Sequence, residues 1–133
     1  MNGILHELGK APLTIENITE WLNNRYPIVL SEEGKARINH CREYLDNKVK
    51  ESDVPIYGVT TGFGSLCNRS ISAEQLTTLQ ENLVKSHACS MGDEVRPDIV
   101  RLMLLLKAYA LQLGHSGVQV VTVETILELL NRD

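Results

Sequence analysis

The chain has 133 residues, 43% hydrophobic and 23% charged, proportions of a folded globular domain that exclude a wholly disordered or collagen-like polymer. With 13 Lys and Arg against 17 Asp and Glu the net charge is −4, so no basic field exists to hold nucleic acid or an anionic membrane. Six aromatic residues and three cysteines without paired spacing (Cys41, Cys67, Cys89) argue against a base-stacking surface and a disulfide framework.

Ile4-Leu5 opens a short apolar segment after an N-terminus without the pattern of a secretory leader. Reduced thiols and a cytoplasmic setting are the expectation. Thr14 is placed to cap a helix whose apolar positions Ile15, Ile18 and Leu22 share one face. Pro27 ends that run, and Ile28-Val29-Leu30 predicts a brief strand pairing near Ile4 or Leu13. Ser31 caps the next helix. Glu32 and Glu33 lie in its first turn, and Ile38, Cys41, Leu45 and Val49 form its apolar face to about Lys50.

Residues 54–71 break the helical pattern. Pro55, Gly58, Gly62 and Gly64 punctuate them, and Val59-Thr60-Thr61 favour extended backbone. Ser72 followed by Gln75 has capping-box spacing, ahead of a helix with Leu76, Leu79 and Leu83 on its apolar face and Gly92 at its end. Pro97 opens a further helix, apolar almost all round through residue 113, the composition of a helix inside a bundle. Its longest apolar run, Leu102 to Leu106, is too short to span a bilayer. Gly114 suits its C-terminal cap. Val118–Val123 forms a β-prone, uncharged window, and a last helix is expected from about Thr122 to Leu130. The whole reads as a mainly α chain with a short β element and one glycine-rich loop.

The loop Ile56-Tyr57-Gly58-Val59-Thr60-Thr61-Gly62-Phe63-Gly64 lacks the Gly-Lys-Ser/Thr or GxGxxG of a phosphate cradle. It reads either as a tight structural turn or as a mobile loop presenting Tyr57, whose phenolate could take a proton from a weakly acidic carbon. His87, three residues after Val84 and four after Leu83, is either a core histidine or a polar group lining a pocket. His87, Cys89 and His115 do not have zinc-motif spacing, and no metal site is expected.

That loop is followed by Leu79-Gln80-Glu81-Asn82-Leu83, Ser86-His87-Ala88, Arg101-Leu102-Met103 and Gly114-His115-Ser116-Gly117-Val118. In this order the segments resemble the N-terminal part of the aromatic amino acid ammonia-lyases, and of their histidine-specific members in particular. The resemblance runs from about residue 54 to 118, and more loosely back to residue 4. It implies a piece of a larger helical-bundle lyase that eliminates ammonia from L-histidine to give trans-urocanate, a step of histidine catabolism. It further implies a homotetramer and a methylidene-imidazolone (MIO) prosthetic group formed from an internal Ala-Ser-Gly. Tyr57 matches the family's loop base, supported by Gly58, Gly62 and Gly64. Ser86-His87 matches the pair that marks histidine-specific members, with His87 holding the substrate imidazole. No Ala-Ser-Gly occurs in the 133 residues, and the one Ser-Gly, Ser116-Gly117, follows His115. The expectation is therefore a single segment, residues 1–133, truncated before the triplet and inactive alone, with no cofactor of its own. The alternatives are a non-catalytic helical interaction module, or a lyase or aminomutase acting on phenylalanine or tyrosine.

Overall fold

Two short strands and five helices follow one another in the computed structural model, which describes residues 5–51, 54–64 and 75–132. They are β1 (His6–Leu8), α1 (Ile15–Asn24), β2 (Ile28–Leu30), α2 (Glu32–Glu51), α3 (Leu76–His87), α4 (Pro97–Gln112) and α5 (Val120–Arg132). The chain divides into two compact units, one of Met1–Leu45 with Val95–Asp133, the other of Asp46–Glu94.

In the first unit, β1 and β2 pair in parallel with His6 opposite Ile28 and Leu8 opposite Leu30. The strand near Ile4 is thus the partner of β2. The outer edge of β2 is closed by a side chain. The Ile28 N–H donates to Asn131 Oδ1 at 3.0 Å, and Asn131 Nδ2 donates to the Ile28 carbonyl at 2.8 Å. One primary amide thereby takes the place of a third strand's peptide group.

Between the strands, α1 starts where the sequence places it. Thr14 Oγ1 accepts from the Asn17 N–H at 3.2 Å, and Asn17 Oδ1 accepts from the Thr14 N–H at 3.4 Å, a reciprocal cap. The backbone N–H at this helix start, and the Thr14 side chain next, hold the Glu16 carboxyl below its ordinary value. The predicted face is rotated. Ile15 is exposed, Ile18 and Leu22 are half-buried, and Trp21 is the residue that enters the core. Its bulk buries more apolar area than Ile15 can, so it sets the orientation. Thr14→Ala should cost about 1 kcal/mol by removing the cap. An unchanged urea midpoint would show that the cap contributes nothing.

Ser31 caps α2, its Oγ accepting the Gly34 N–H at 3.0 Å. Within the first unit, α4 and α5 pack together, Leu105, Ala108 and Leu111 meeting Val123, Leu127 and Leu130 in the same core as Leu8, Ile28 and Ile38. Arg37 of α2 ties this core to its loops. Its Nη2 donates to the Gly9 carbonyl at 2.7 Å and to Gln112 Oε1, and its Nε donates to the Gln112 carbonyl at 3.2 Å. Gln112 is buried, and its side-chain oxygen and backbone carbonyl both accept from this fork.

Among the described residues α4 is covered on one side, and Val100, Met103 and Leu106 stay exposed along a groove of about 630 Å³ that also takes in Ala110, as expected of a bundle helix in a segment of a larger fold. Two expectations need correcting. The β-prone window from Val118 is instead the start of α5 from Val120, because Val123 and Leu127 share a helical face that reaches the core. α3 ends at His87 rather than near Gly92, since residues 88–92 are exposed and offer no apolar face to extend it. Gly114 caps the end of α4 as expected, at φ 77° with its N–H bonded to the Leu111 carbonyl at 3.2 Å.

Candidate active site

The second unit holds the glycine loop and α3. The Val59 and Thr60 N–H groups both donate to the Ile56 carbonyl at 3.0 Å, so residues 56–60 form a tight turn. This corrects the expectation of extended backbone at Val59-Thr60, whereas Thr61 is in a β-bridge. The threonine hydroxyls decide it. Thr60 Oγ1 accepts the Ile56 N–H at 2.9 Å, and Thr61 Oγ1 accepts the Gly58 N–H at 3.3 Å while donating to the Gly62 carbonyl at 3.0 Å. Thr61 is buried, and its side chain is the knot of the loop.

Gly58 has φ 70°, and a Cβ there would meet Phe63 Cε1 at 2.6 Å. A side chain at 58 is excluded both by the left-handed backbone and by the ring lying against it. Gly64 also has positive φ, with open space around it, and Gly62 is buried. Of the two readings left open by the sequence the loop is a tight turn, and Tyr57 on it is 63% exposed.

The rings form a chain. The Tyr57 and Phe63 centroids are 5.6 Å apart and tilted, and Phe63 and His87 are 5.9 Å apart edge to face. Tyr57 and His87, singled out separately in the sequence, therefore both contact one phenyl ring. Ser86 is beside them at the C-terminal turn of α3. His87 is exposed, so it is not a core histidine of this unit.

The hydrogen bonds of His87 assign its tautomer. Nδ1 lies 2.9 Å from the Leu83 carbonyl and 2.9 Å from Ser86 Oγ, and Ser86 Oγ itself donates to the Leu83 carbonyl at 2.9 Å. A carbonyl can only accept, so in the neutral ring Nδ1 carries the hydrogen. Nε2 is then a lone-pair acceptor on the far side of the ring. Such an atom is suited to receive the N–H of another imidazole.

Gln80 was not singled out as a site residue, although it sits in the Leu79–Leu83 segment. Its Nε2 donates to the carbonyls of Gly58 at 3.3 Å and Val59 at 3.2 Å. Its spacing seven residues before His87, on the same helical face, was the available signal. Phe63 was likewise read only as part of the motif. The capping pair Ser72–Gln75 falls largely outside the described residues, as does Cys67. Gln75 itself makes no side-chain cap bond. Among the described residues no three His, Cys, Asp or Glu side chains gather as metal ligands, and no helix is long and apolar enough to cross a membrane.

Residues 13–133 match the sequence model of the aromatic amino acid lyases. The histidine ammonia-lyase of Caldanaerobacter subterraneus subsp. tengcongensis is 46% identical over 121 residues, 91% of this chain and 24% of that protein. That of Clostridium tetani is 45% identical over 119 residues, 90% of this chain and 23% of its own length. Among solved structures, tyrosine aminomutase from Streptomyces globisporus has a TM-score of 0.85 at 28% identity, covering 97% of this chain and 24% of the other. Histidine ammonia-lyase from Trypanosoma cruzi has a TM-score of 0.78 at 32% identity, covering 96% and 24%. The chain spans about a quarter of the length of the curated relatives it matches.

Proposed function

The chain belongs to the aromatic amino acid lyase family, and from that premise we propose that residues 1–133 are the N-terminal segment of a histidine ammonia-lyase. The reaction is loss of ammonia from L-histidine: a proton leaves Cβ, the amino group leaves Cα, and the carbon–carbon double bond of trans-urocanate forms between them. Tyr57 takes the β-proton on its phenolate oxygen. His87 accepts the substrate's imidazole N–H at Nε2, and Ser86 and the Leu83 carbonyl keep the ring in the tautomer that can do so. The observation that carries this reading is that hydrogen bonding of Nδ1, which leaves Nε2 to accept, on a ring that shares the Phe63 contact with Tyr57.

Methylidene-imidazolone, which the family's chemistry implies as the electrophile that makes the amino group a leaving group, does not fit the residues present. No Ala-Ser-Gly occurs, and Gly117 of the single Ser-Gly is buried at φ 64° beneath Leu45. The chemistry of this chain is therefore confined to the proton and the ring. The proposal extends to a homotetramer, supported by the bare apolar stripe of α4. It also includes a cytoplasmic setting, supported by the free thiols of Cys41 and Cys89.

The test joins residues 1–133 to the remaining three quarters of the Caldanaerobacter enzyme, in place of the segment they match. The joined enzyme should form urocanate from histidine, read by its near-ultraviolet absorbance, while the 133-residue chain alone forms none. In the joined enzyme His87→Leu should lower kcat/KM for histidine at least about five-fold, the value of one hydrogen bond of about 1 kcal/mol. Preference of the joined enzyme for phenylalanine, or an unchanged kcat/KM in the variant, would overturn the assignment.

A further inference from the structure

A polar side chain of α3 reaches the tyrosine loop. Gln80 Nε2 donates to the carbonyls of Gly58 and Val59, the first two residues after Tyr57. Both hydrogens of one amide nitrogen are directed at the backbone that carries the phenol. A second contact lies beside it: Phe63 rests against Gly58, touches the Tyr57 ring and meets His87 edge to face. Gln80 and His87 stand on the same helix seven residues apart, two turns. A loop anchored at Gln80 is therefore anchored to the helix that carries the imidazole-binding group.

We propose that Gln80 is a positioning residue for the lyase reaction: its paired hydrogen bonds hold the loop so that Tyr57 and His87 both contact Phe63. This rests on the assignment of Tyr57 and His87 given above. The chemistry requires such a device, because proton abstraction is sensitive to base placement at the ångström scale. Tyr57 is on a loop, whose backbone is held by only a few local bonds. The Gly58 and Val59 carbonyls point at Gln80, and a neutral amide donor is what two neighbouring acceptors need. A carboxylate of the same shape presents only lone pairs to them.

Gln80→Glu is the decisive variant, since it keeps size and helix propensity and removes both donors. Gln80 is exposed, so the fold is not at stake. In the 133-residue chain, nuclear Overhauser contacts between the Tyr57 and Phe63 rings and between Phe63 and His87 should weaken or vanish. The Val59 and Thr60 amides should exchange with solvent about ten-fold faster. The Ala88 amide, bonded within the end of α3 to the Val84 carbonyl at 2.9 Å, should keep its rate. Gln80→Lys, which restores a donor, should recover part of the contacts. Unchanged ring contacts and loop exchange in Gln80→Glu would overturn the proposal. In the joined enzyme the same variant should lower kcat about ten-fold with KM for histidine within a factor of two. Loss of the ring contacts with kcat unchanged would leave Gln80 as the anchor of the loop, and would instead remove Tyr57 from the role of base.

Discussion

Tyr57→Phe in the joined enzyme should lower kcat by about 10²-fold or more, the usual contribution of a positioned general base. The substitution removes one oxygen and leaves the ring. Phe at 57 can keep the 5.6 Å tilted contact with Phe63, and the turn at 56–60 is held by backbone and threonine hydroxyls that do not involve the phenol. Loop exchange rates should therefore match those of the unaltered chain, and the loss should fall on the chemical step. On the proposed role of His87 in holding the substrate ring, KM for histidine should change little. A kcat within a factor of three of the parent would show that another group removes the β-proton.

The second large effect is on stability. Gly114→Ala should destabilise the chain by about 2 kcal/mol or more, from two additive causes. At φ 77° an L side chain costs about 1–2 kcal/mol. Its Cβ would also lie 2.7 Å from the Arg37 carbonyl oxygen and 2.9 Å from the carbonyl carbon. That obstacle is backbone of α2, not the tip of a flexible side chain, so either α2 or the α4–α5 connection has to move. Moving it disturbs the Arg37 bonds to Gly9 and Gln112. Thermal unfolding measures the effect. A melting temperature unchanged within a degree would mean that the close approach of Gly114 to α2 carries no weight.

Helix starts and stops were the most legible part of the sequence, because they are set by local groups. Thr14, Ser31, Pro97 and Gly114 each act within a few residues of themselves, and each sits where local chemistry places it. Faces were less legible. Ile15 satisfies the 3.6-residue period as well as Trp21 does, and only the volume of the core beneath α1 decides between them. Likewise α4 is apolar all round in composition, yet one side meets α5 while Val100, Met103 and Leu106 on the other stay exposed among the described residues. At the candidate site, Tyr57, Ser86 and His87 were singled out by resemblance. The groups that orient them were not, because Gln80, Phe63 and Thr61 act through contacts that cross sequence gaps or through hydroxyl direction, which residue spacing does not encode.

The single tryptophan has a practical consequence. Trp21 is buried in the first unit with the His6 ring 4.8 Å away, whereas Tyr57, Phe63 and His87 belong to the second. Indole fluorescence is thus a private reporter of the strand-and-helix core, and the ring resonances of Tyr57 report the loop. A variant that changes one signal and spares the other identifies the half of the molecule it has altered. Damage to the scaffold can then be told from damage to the chemistry before any substrate is added.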